Sequence, residues 1–328
     1  MMSIEEFLAE WNDTSDMVLV HTSGSTGTSK PMWVEKRRML NSARITCDFL
    51  GLRQGDTALL CMSLDYIAGK MMVARSLERG LRLISIKPDG HPLAMMDVPI
   101  DFAAMVPMQV YNSLQVPEER ERLRSVRHLI IGGGAIDETM ARELSTFPHA
   151  VWSTYGMTET LSHIALRRLS GSDASEWYTP FPSVKISLSD DDCLVIDAPE
   201  VCPQPLVTND IAEIAWLDDG SALSAPRFRI LGRKDNVICS GGLKIQAEEI
   251  ERLLRPCMGI PFLVSKRPDS KFGEIVVLLT EGSTGDARMV CERVLPKYYQ
   301  PRAYIHVDAI PMTPTGKPAR KQAEQLAQ

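Results

Sequence analysis

This chain of 328 residues lacks paired cysteines, a long apolar run and an excess of positive charge. Its seven cysteines form no Cys-x-x-Cys pair, which disfavours a disulfide framework or a zinc site and predicts reduced, mostly buried thiols. No apolar run approaches the length of a membrane span, and the acidic N-terminus is unlike a signal peptide. The formal net charge of -6 disfavours nucleic acid as a partner, because a polyanion is repelled on average. We therefore expect a soluble cytoplasmic protein.

The apolar pattern predicts an α/β fold. Up to Gly156, apolar strands alternate with amphipathic helices, which indicates a largely parallel sheet with helices on both faces. Short alternating strands and prolines then predict a small, mostly antiparallel unit. We expect a large N-terminal domain over residues 1–234, with mainly parallel sheets and this β-rich unit. A small mobile C-terminal α+β domain is expected over residues 235–328.

The segment TSGSTGTSK, Thr22 to Lys30, follows the first predicted strand of the sheet region. Its hydroxyls, glycine-freed backbone N–H groups and lysine can converge on phosphate oxygens. A Walker A loop needs glycine directly before the lysine, where this chain has Ser29. Taken alone, the segment also fits a solvated turn. The candidate phosphate-binding residues are Thr22, Ser23, Gly24, Ser25, Thr26, Gly27 and Lys30.

A second cluster, LIIGGGAID, is an apolar strand that runs into three glycines before a helix that Asp137 could cap. A dinucleotide fingerprint would need glycine where Asp137 stands. The glycines permit a flat backbone shelf for a planar base, although a tight strand-to-helix turn also fits. The shelf residues are Gly132, Gly133, Gly134 and Ala135.

The third cluster, STYGMTET, places an aromatic ring, a glycine, hydroxyls and a carboxylate within eight residues. Tyr155 could stack on a base beside Gly156, Thr158 could donate to a phosphate, and Glu159 could hold Mg2+ through oxygen ligation. A tyrosine-bearing turn followed by a capped helix is the alternative.

Three further clusters follow. Asp210, in TNDIAEI, is expected just before a strand, where a carboxylate can accept ribose hydroxyls or form a turn. The run GRKDNVICSGGLKIQAEEIE is typical of a domain junction or of a solvated charged surface. The lysine of PMTPTGKPARK, Lys317, lies in a proline and glycine loop or in a basic tail.

In this order, the motifs resemble the adenylate-forming superfamily of acyl-CoA synthetases, firefly-type luciferases and peptide-synthetase adenylation domains. The match runs from Thr22 to Lys321. Within that superfamily, the strings YGMTETLSHIAL, GRKDNVICSGGLKIQAEEIE and TPTGKPARKQ are most similar to short bacterial o-succinylbenzoate-CoA ligases of menaquinone biosynthesis. The resemblance implies a carboxylate substrate, ATP, Mg2+ and coenzyme A, with an acyl-adenylate as the intermediate.

The resemblance also implies roles for individual residues. It makes Lys317, Thr158 and Glu159 catalytic, with Glu159 holding the metal, and it assigns the phosphates of ATP to the Thr22 to Lys30 loop. Adenine would lie between the glycine shelf and Tyr155, and the ribose against Asp210 and Arg233. The remaining assignments are the hinge at Asp235, the CoA side at Gly241, Gly242 and Lys244, and the acyl pocket at Ser162 and His163.

This chain departs from the family in two places. The loop has Ser29 and then Pro31 where the family usually has proline before the lysine, and 21 residues precede Thr22 where relatives carry a long subdomain. The alternatives are an enzyme that loads another aryl or amino acid onto CoA or a carrier protein, and an inactive nucleotide-binding homologue. The sequence leaves a monomer and a homodimer open.

Overall fold

The computed structural model describes residues 2–21, 31–216, 226–313 and 317–328. The predicted phosphate loop, Thr22 to Lys30, lies outside the described residues. All other candidate site residues lie within them.

The described chain begins with a capped helix and a hairpin of strands. Helix α1 (Ile4–Trp11) starts at a capping box, in which Ser3 accepts the Glu6 N–H and Glu6 accepts the Ser3 N–H. Strand β1 (Met17–His21) pairs antiparallel with β2 (Pro31–Glu35). A strand therefore follows residues 22–30, where a P-loop would open a helix.

A seven-stranded sheet forms the centre of the large α/β region. Its strand order is β4-β3-β5-β6-β7-β8-β9, parallel from β4 to β7 and antiparallel at β8 and β9. Both β3 and β5 are completely buried because apolar clusters cover the two faces of the sheet. The elements are α2 (Lys36–Leu50), β3 (Thr57–Leu60), α3 (Ile67–Arg79), β4 (Arg82–Ser85), β5 (Phe102–Met105), α4 (Pro107–Gln115), α5 (Pro117–Ser125), β6 (His128–Ile131), α6 (Glu138–Leu144), β7 (Ala150–Gly156), β8 (His163–Arg168) and β9 (Thr179–Pro180).

Four antiparallel strands form the next sheet: β10 (Lys185–Leu188), β11 (Cys193–Asp197), β12 (Leu206–Trp216) and β13 (Pro226–Arg233). This confirms the antiparallel character predicted after Gly156. One detail was wrong, because Asp210 lies inside β12 and not before a strand. The pairing of β12 with β13 places Asp210 opposite Arg233, so the strand fixes the carboxylate beside a cation.

The C-terminal part contains a five-stranded sheet with its own apolar clusters. Arg320 donates to both carboxylate oxygens of the buried Glu251, at 2.7 and 2.8 Å, which ties the last helix to the first helix of this part. The elements are β14 (Val237–Ser240), β15 (Leu243–Gln246), α7 (Ala247–Leu254), β16 (Phe262–Asp269), β17 (Gly273–Thr280), α8 (Thr284–Val294), β18 (Ala303–His306) and α9 (Arg320–Leu326).

All seven cysteines are free thiols and five of them are buried, as the sequence predicts. Over the residues that the structure describes, no helix is both long enough and apolar enough to cross a membrane.

Candidate active site

Tyr155 and Asp210 meet where the seven-stranded sheet adjoins the four-stranded sheet. The Tyr155 hydroxyl, near the carboxyl end of β7, donates to Asp210 Oδ2 at 2.7 Å. The other carboxylate oxygen, Oδ1, lies 3.6 Å from the Arg233 guanidinium. Burial, and then the nearby Asp210 charge, raise the pKa of Tyr155, so the phenol stays protonated as a donor. A ring, a carboxylate and a guanidinium are thereby held together at one site.

Lys317 reaches the same site from the C-terminal part of the chain. Its half-buried ammonium has a lowered pKa, first because of burial and then because of the Arg233 charge, while Asp210 acts in the opposite direction. The backbone holds the lysine in place, since Thr313 N–H donates to the Lys317 carbonyl at 2.7 Å and the Lys317 N–H donates to Thr313 Oγ1 at 3.1 Å. The predicted catalytic lysine therefore lies within electrostatic reach of Asp210 and Arg233.

The glycine shelf lies at the adjacent carboxyl edge of the parallel sheet. Gly132 directly follows β6, and a Cβ there would collide with the Thr154 hydroxyl. Gly133 has φ +81°, a conformation that favours glycine. Gly133, Gly134 and Ala135 are exposed, and Asp137 caps α6 by accepting the Met140 N–H at 2.8 Å. The predicted shelf and the predicted helix cap are thus features of one turn.

The segment after Tyr155 is tightly folded. A Cβ at Gly156 would overlap the Ser162 carbonyl, so this position requires glycine for close approach of the backbone. Leu161 has φ +64°, which is strained for a branched side chain. The short 3-10 turn Thr158–Thr160 buries Thr158 and leaves Glu159 exposed. An exposed carboxylate suits oxygen ligation of Mg2+.

Ser162 and His163, the predicted acyl-pocket residues, lie in a buried polar network. Ser162 Oγ is 3.1 Å from His163 Nδ1, and His163 Nε2 is 3.2 Å from the Thr46 hydroxyl on α2. His163 is buried.

Arg75 is a functional candidate that we did not predict from the sequence. It lies on α3, is 2% exposed, and donates to Ser162 Oγ at 2.6 Å. Its buried Nε has no hydrogen-bond partner among the described residues, and its second terminal nitrogen contacts the Met72 sulfur at 3.7 Å. Burial lowers the pKa of Arg75 to about 10, which still leaves a cation at neutral pH. Buried charges normally have an ionic partner, so this guanidinium is suited to bind an anion.

The predicted hinge is held by exposed ionic contacts. Asp235 lies in the 3-10 turn Lys234–Asn236, and its carboxylate accepts from Asn209 at 3.3 Å and from Arg233 at 3.4 Å. Lys234 forms a 2.6 Å ion pair with Asp191 at the β10–β11 turn.

The predicted CoA-side residues belong to the β14–β15 hairpin. Gly241 and Gly242 form its turn with φ +58° and +85°. Lys244 lies near Asp191 and, after Lys234, contributes to lowering the pKa of that carboxyl.

A family model matches most of the large region: the model for the AMP-binding enzyme fits residues 5–214. The chain belongs to the AMP-binding enzyme family. The acyl-CoA synthetase (AMP-forming)/AMP-acid ligase II-like protein from Dyadobacter fermentans DSM 18053 has 32% sequence identity and a TM-score of 0.65, with 97% of this chain and 91% of that one covered.

Two further relatives of this AMP-binding enzyme have lower identity. The 2-succinylbenzoate–CoA ligase of Salmonella typhimurium strain LT2 is 27% identical, over 92% of this chain and 67% of that protein. The structure of O-succinylbenzoate coenzyme A synthetase from Bacillus subtilis, in complex with ATP and magnesium ion, has a TM-score of 0.75 at 22% identity, over 93% of this chain and 69% of that one. These likenesses establish the α/β fold.

Two groups of predicted residues in the AMP-binding enzyme are brought together. Tyr155, Asp210, Arg233 and Lys317 form one, while Ser162 and His163 form the other with Arg75. Glu159, on the turn between Tyr155 and Ser162, makes no hydrogen bond or ion pair within the described residues.

We expect the buried imidazole to make this enzyme sensitive to acid. Burial, and then the Arg75 charge, hold the pKa of His163 well below its ordinary value of 6.5. His163 therefore binds a proton more readily in the unfolded chain than in the folded protein. Its neutral form favours folding fully above about pH 6.5, and the free energy of unfolding decreases as the pH falls below that value. Urea unfolding at pH 7.5 and pH 5.5 should show this decline, and His163→Gln should reduce it.

The matched control is His149→Gln, because His149 is exposed. That variant should lose stability with falling pH as the unsubstituted protein does. An equal acid dependence in the His163 variant and the unsubstituted protein would contradict the assignment.

Proposed function

We propose that this protein is an ATP-dependent carboxylate–CoA ligase acting through an acyl-adenylate, with 2-succinylbenzoate as the acid. A carboxylate oxygen attacks the α-phosphorus of ATP and pyrophosphate leaves. The thiol of CoA then attacks the acyl carbon, and AMP leaves with the oxygen that bridged the two groups.

The buried guanidinium of Arg75 favours an acid with two carboxylates. This guanidinium contacts Ser162, yet no residue that the structure describes forms a hydrogen bond with its Nε. In 2-succinylbenzoate one carboxylate can react while the other pairs with this cation. The names of the Salmonella and Bacillus relatives specify this same acid.

The Tyr155 site supports the assignment of the nucleotide. Asp210 would accept the ribose hydroxyls beside Arg233, and adenine would lie between Tyr155 and the Gly132 to Ala135 turn. Lys317, near both charged groups, would hold the reacting carboxylate and the α-phosphate together, which opposes the repulsion between two anions. Thr158 would donate to the α-phosphate.

The metal assignment rests on the exposed carboxylate of Glu159. Among the described residues, no group of three or more His, Cys, Asp or Glu side chains could hold a metal ion. Glu159 would therefore hold Mg2+ together with phosphate oxygens, and the bound ion would neutralise phosphate charge. The Thr22 to Lys30 loop is proposed to hold the β- and γ-phosphates.

For the second half-reaction, we propose rotation of residues 235–328 about Asp235 relative to residues 1–234. The rotation would withdraw Lys317 and bring the Gly241–Gly242 turn and Lys244 towards the acyl-adenylate, opening a path for the CoA thiol. The contacts of Asp235 with Asn209 and Arg233 are solvent-exposed, so their loss on rotation costs little.

Pyrophosphate release tests this function. ATP and Mg2+ should be supplied with 2-succinylbenzoate, benzoate or 4-oxo-4-phenylbutanoate, each with and without CoA. We expect fast release with 2-succinylbenzoate, sustained turnover when CoA is added, and weak release with either monocarboxylate. Absence of release with every acid would contradict the proposal.

A further inference from the structure

The proposed nucleotide site is divided between two sheets. Tyr155 comes from β7 of the seven-stranded sheet, whereas Asp210 and Arg233 come from β12 and β13 of the antiparallel sheet. The 2.7 Å bond from Tyr155 to Asp210 crosses from one sheet to the other. Its length depends on how the two sheets are joined.

Tyr178 and Phe228 join the two sheets next to this bond. Their backbones exchange two hydrogen bonds, from Tyr178 N–H to the Phe228 carbonyl at 2.7 Å and back at 3.0 Å. Their rings are stacked, with centroids 5.5 Å apart and planes inclined by 23°. Phe228 belongs to β13 and is completely buried, while Tyr178 immediately precedes β9.

Both rings also contact Tyr155. The centroid of Phe228 lies 5.1 Å from that of Tyr155 in an edge-on arrangement, and the centroid of Tyr178 lies 5.8 Å away. The Tyr178 hydroxyl is 2.9 Å from Ser153 Oγ, two residues before Tyr155 on the same strand. The Arg167 guanidinium also lies over the Tyr178 ring, 5.4 Å from the ring centroid. Several contacts thus fix the position of Tyr178, which in turn contacts Tyr155, the donor to Asp210.

We propose that Tyr178 and Phe228 are positioning residues that hold Tyr155 and the Asp210 carboxylate in register for the ribose of the nucleotide. The inference rests on the proposed nucleotide site and extends it to two residues outside the family motifs. Neither residue needs to touch the nucleotide. If the contacts of Tyr178 and Phe228 are weakened, the Asp210 carboxylate loses its fixed orientation, and the contribution of the ribose hydroxyls to nucleotide affinity should fall.

The test compares direct binding of ATP and 2′,3′-dideoxy-ATP by titration calorimetry, with Mg2+ and without any carboxylic acid. In the unsubstituted protein, ATP should bind more tightly by roughly tenfold or more, since hydrogen bonds to a charged group are lost in the analogue. Tyr178→Ala should weaken ATP binding by about that factor and leave the analogue nearly unaffected. Tyr178→Phe, which keeps the stacked ring, should retain most of the preference for ATP.

Phe228→Leu provides a second variant that preserves an apolar side chain, and it should also reduce the ratio of the two affinities. The matched control is Trp177→Leu, which removes the neighbouring ring, packed 5.0 Å from the Arg229 guanidinium and not against Tyr155. The control should preserve the ratio. The ratio of the affinities for ATP and for the dideoxy analogue is measured on the folded, binding-competent protein. It therefore does not depend on which fraction of each variant folds.

Equal weakening of both nucleotides in Tyr178→Ala, or an unchanged ratio, would overturn the positioning role. If the unsubstituted protein binds ATP but releases no pyrophosphate with 2-succinylbenzoate, the proposed acid is wrong while this test still decides the role of Tyr178. Failure to bind ATP would overturn both.

Discussion

Replacing Lys317 with alanine is expected to slow adenylation by about 150-fold or more, while thioester formation from supplied acyl-adenylate stays nearly unchanged. The factor corresponds to about 3 kcal/mol, the typical effect of removing one preorganised donor from a developing charge. Lys317 lies near Asp210 and Arg233, where the reacting carboxylate and the α-phosphate would meet. The measurement is single-turnover pyrophosphate release, compared with CoA consumption from synthetic acyl-adenylate.

Lys321→Ala is the control for this experiment, because Lys321 is an exposed lysine only four positions further along the chain. It should leave both half-reactions intact. An equal loss of both half-reactions in Lys317→Ala would show that the lysine does not act in adenylation alone.

Replacing Arg75 with methionine is expected to lower kcat/KM for 2-succinylbenzoate by about a hundredfold. Loss of one partner from a buried charge pair costs about 2–5 kcal/mol, and the unpaired Nε shows that the partner is not supplied by the described protein residues. Methionine fills much of the same space without a charge, so α3 should remain packed. Steady-state pyrophosphate release with 2-succinylbenzoate and 4-oxo-4-phenylbutanoate measures the effect.

4-Oxo-4-phenylbutanoate lacks the ring carboxylate, so it shows whether the effect of Arg75→Met depends on that group. Its turnover should change much less in Arg75→Met. Arg79→Met serves as a control on the same helix, where Arg79 pairs with Asp48 at 2.6 Å; it should leave the selectivity between acids unchanged. If Arg75→Met slowed both acids equally, the guanidinium would not recognise a substrate carboxylate.

Most of the fold follows from local patterns in the sequence. The capping box at Ser3 predicts the start of α1, and Gly51, with φ +65°, ends α2 where the apolar periodicity ends. The mostly apolar strand β3 and the continuously apolar strand β5 indicate a sheet covered on both faces. These signals are local, so they can be read without knowledge of tertiary contacts.

Only those residues of the candidate site that belong to sequence motifs could be predicted from the sequence. Asp210 was expected just before a strand, but β12 begins earlier in the sequence and its pairing with β13 includes Asp210. Arg75 could not be recognised, because Lys70 and Arg79 on the same helix give the same sequence signal. Lys70 is buried beside Glu10 and Arg79 pairs with Asp48, so tertiary pairing alone distinguishes Arg75.

The positioning pair of Tyr178 and Phe228 could not be recognised from the sequence either. Tyr178 and Phe228 lie 50 positions apart, and no spacing rule connects a residue before β9 with one inside β13. Their backbone pairing and ring contacts arise only when the two sheets come together.

The fate of oxygen-18 tests the acyl-adenylate route most directly. 2-Succinylbenzoate labelled with oxygen-18 in both carboxylates should be turned over with ATP, Mg2+ and CoA, and the released AMP analysed by mass spectrometry. Attack of a carboxylate oxygen on the α-phosphorus requires one labelled oxygen in each AMP. Unlabelled AMP, or label recovered in pyrophosphate, would contradict an acyl-adenylate intermediate.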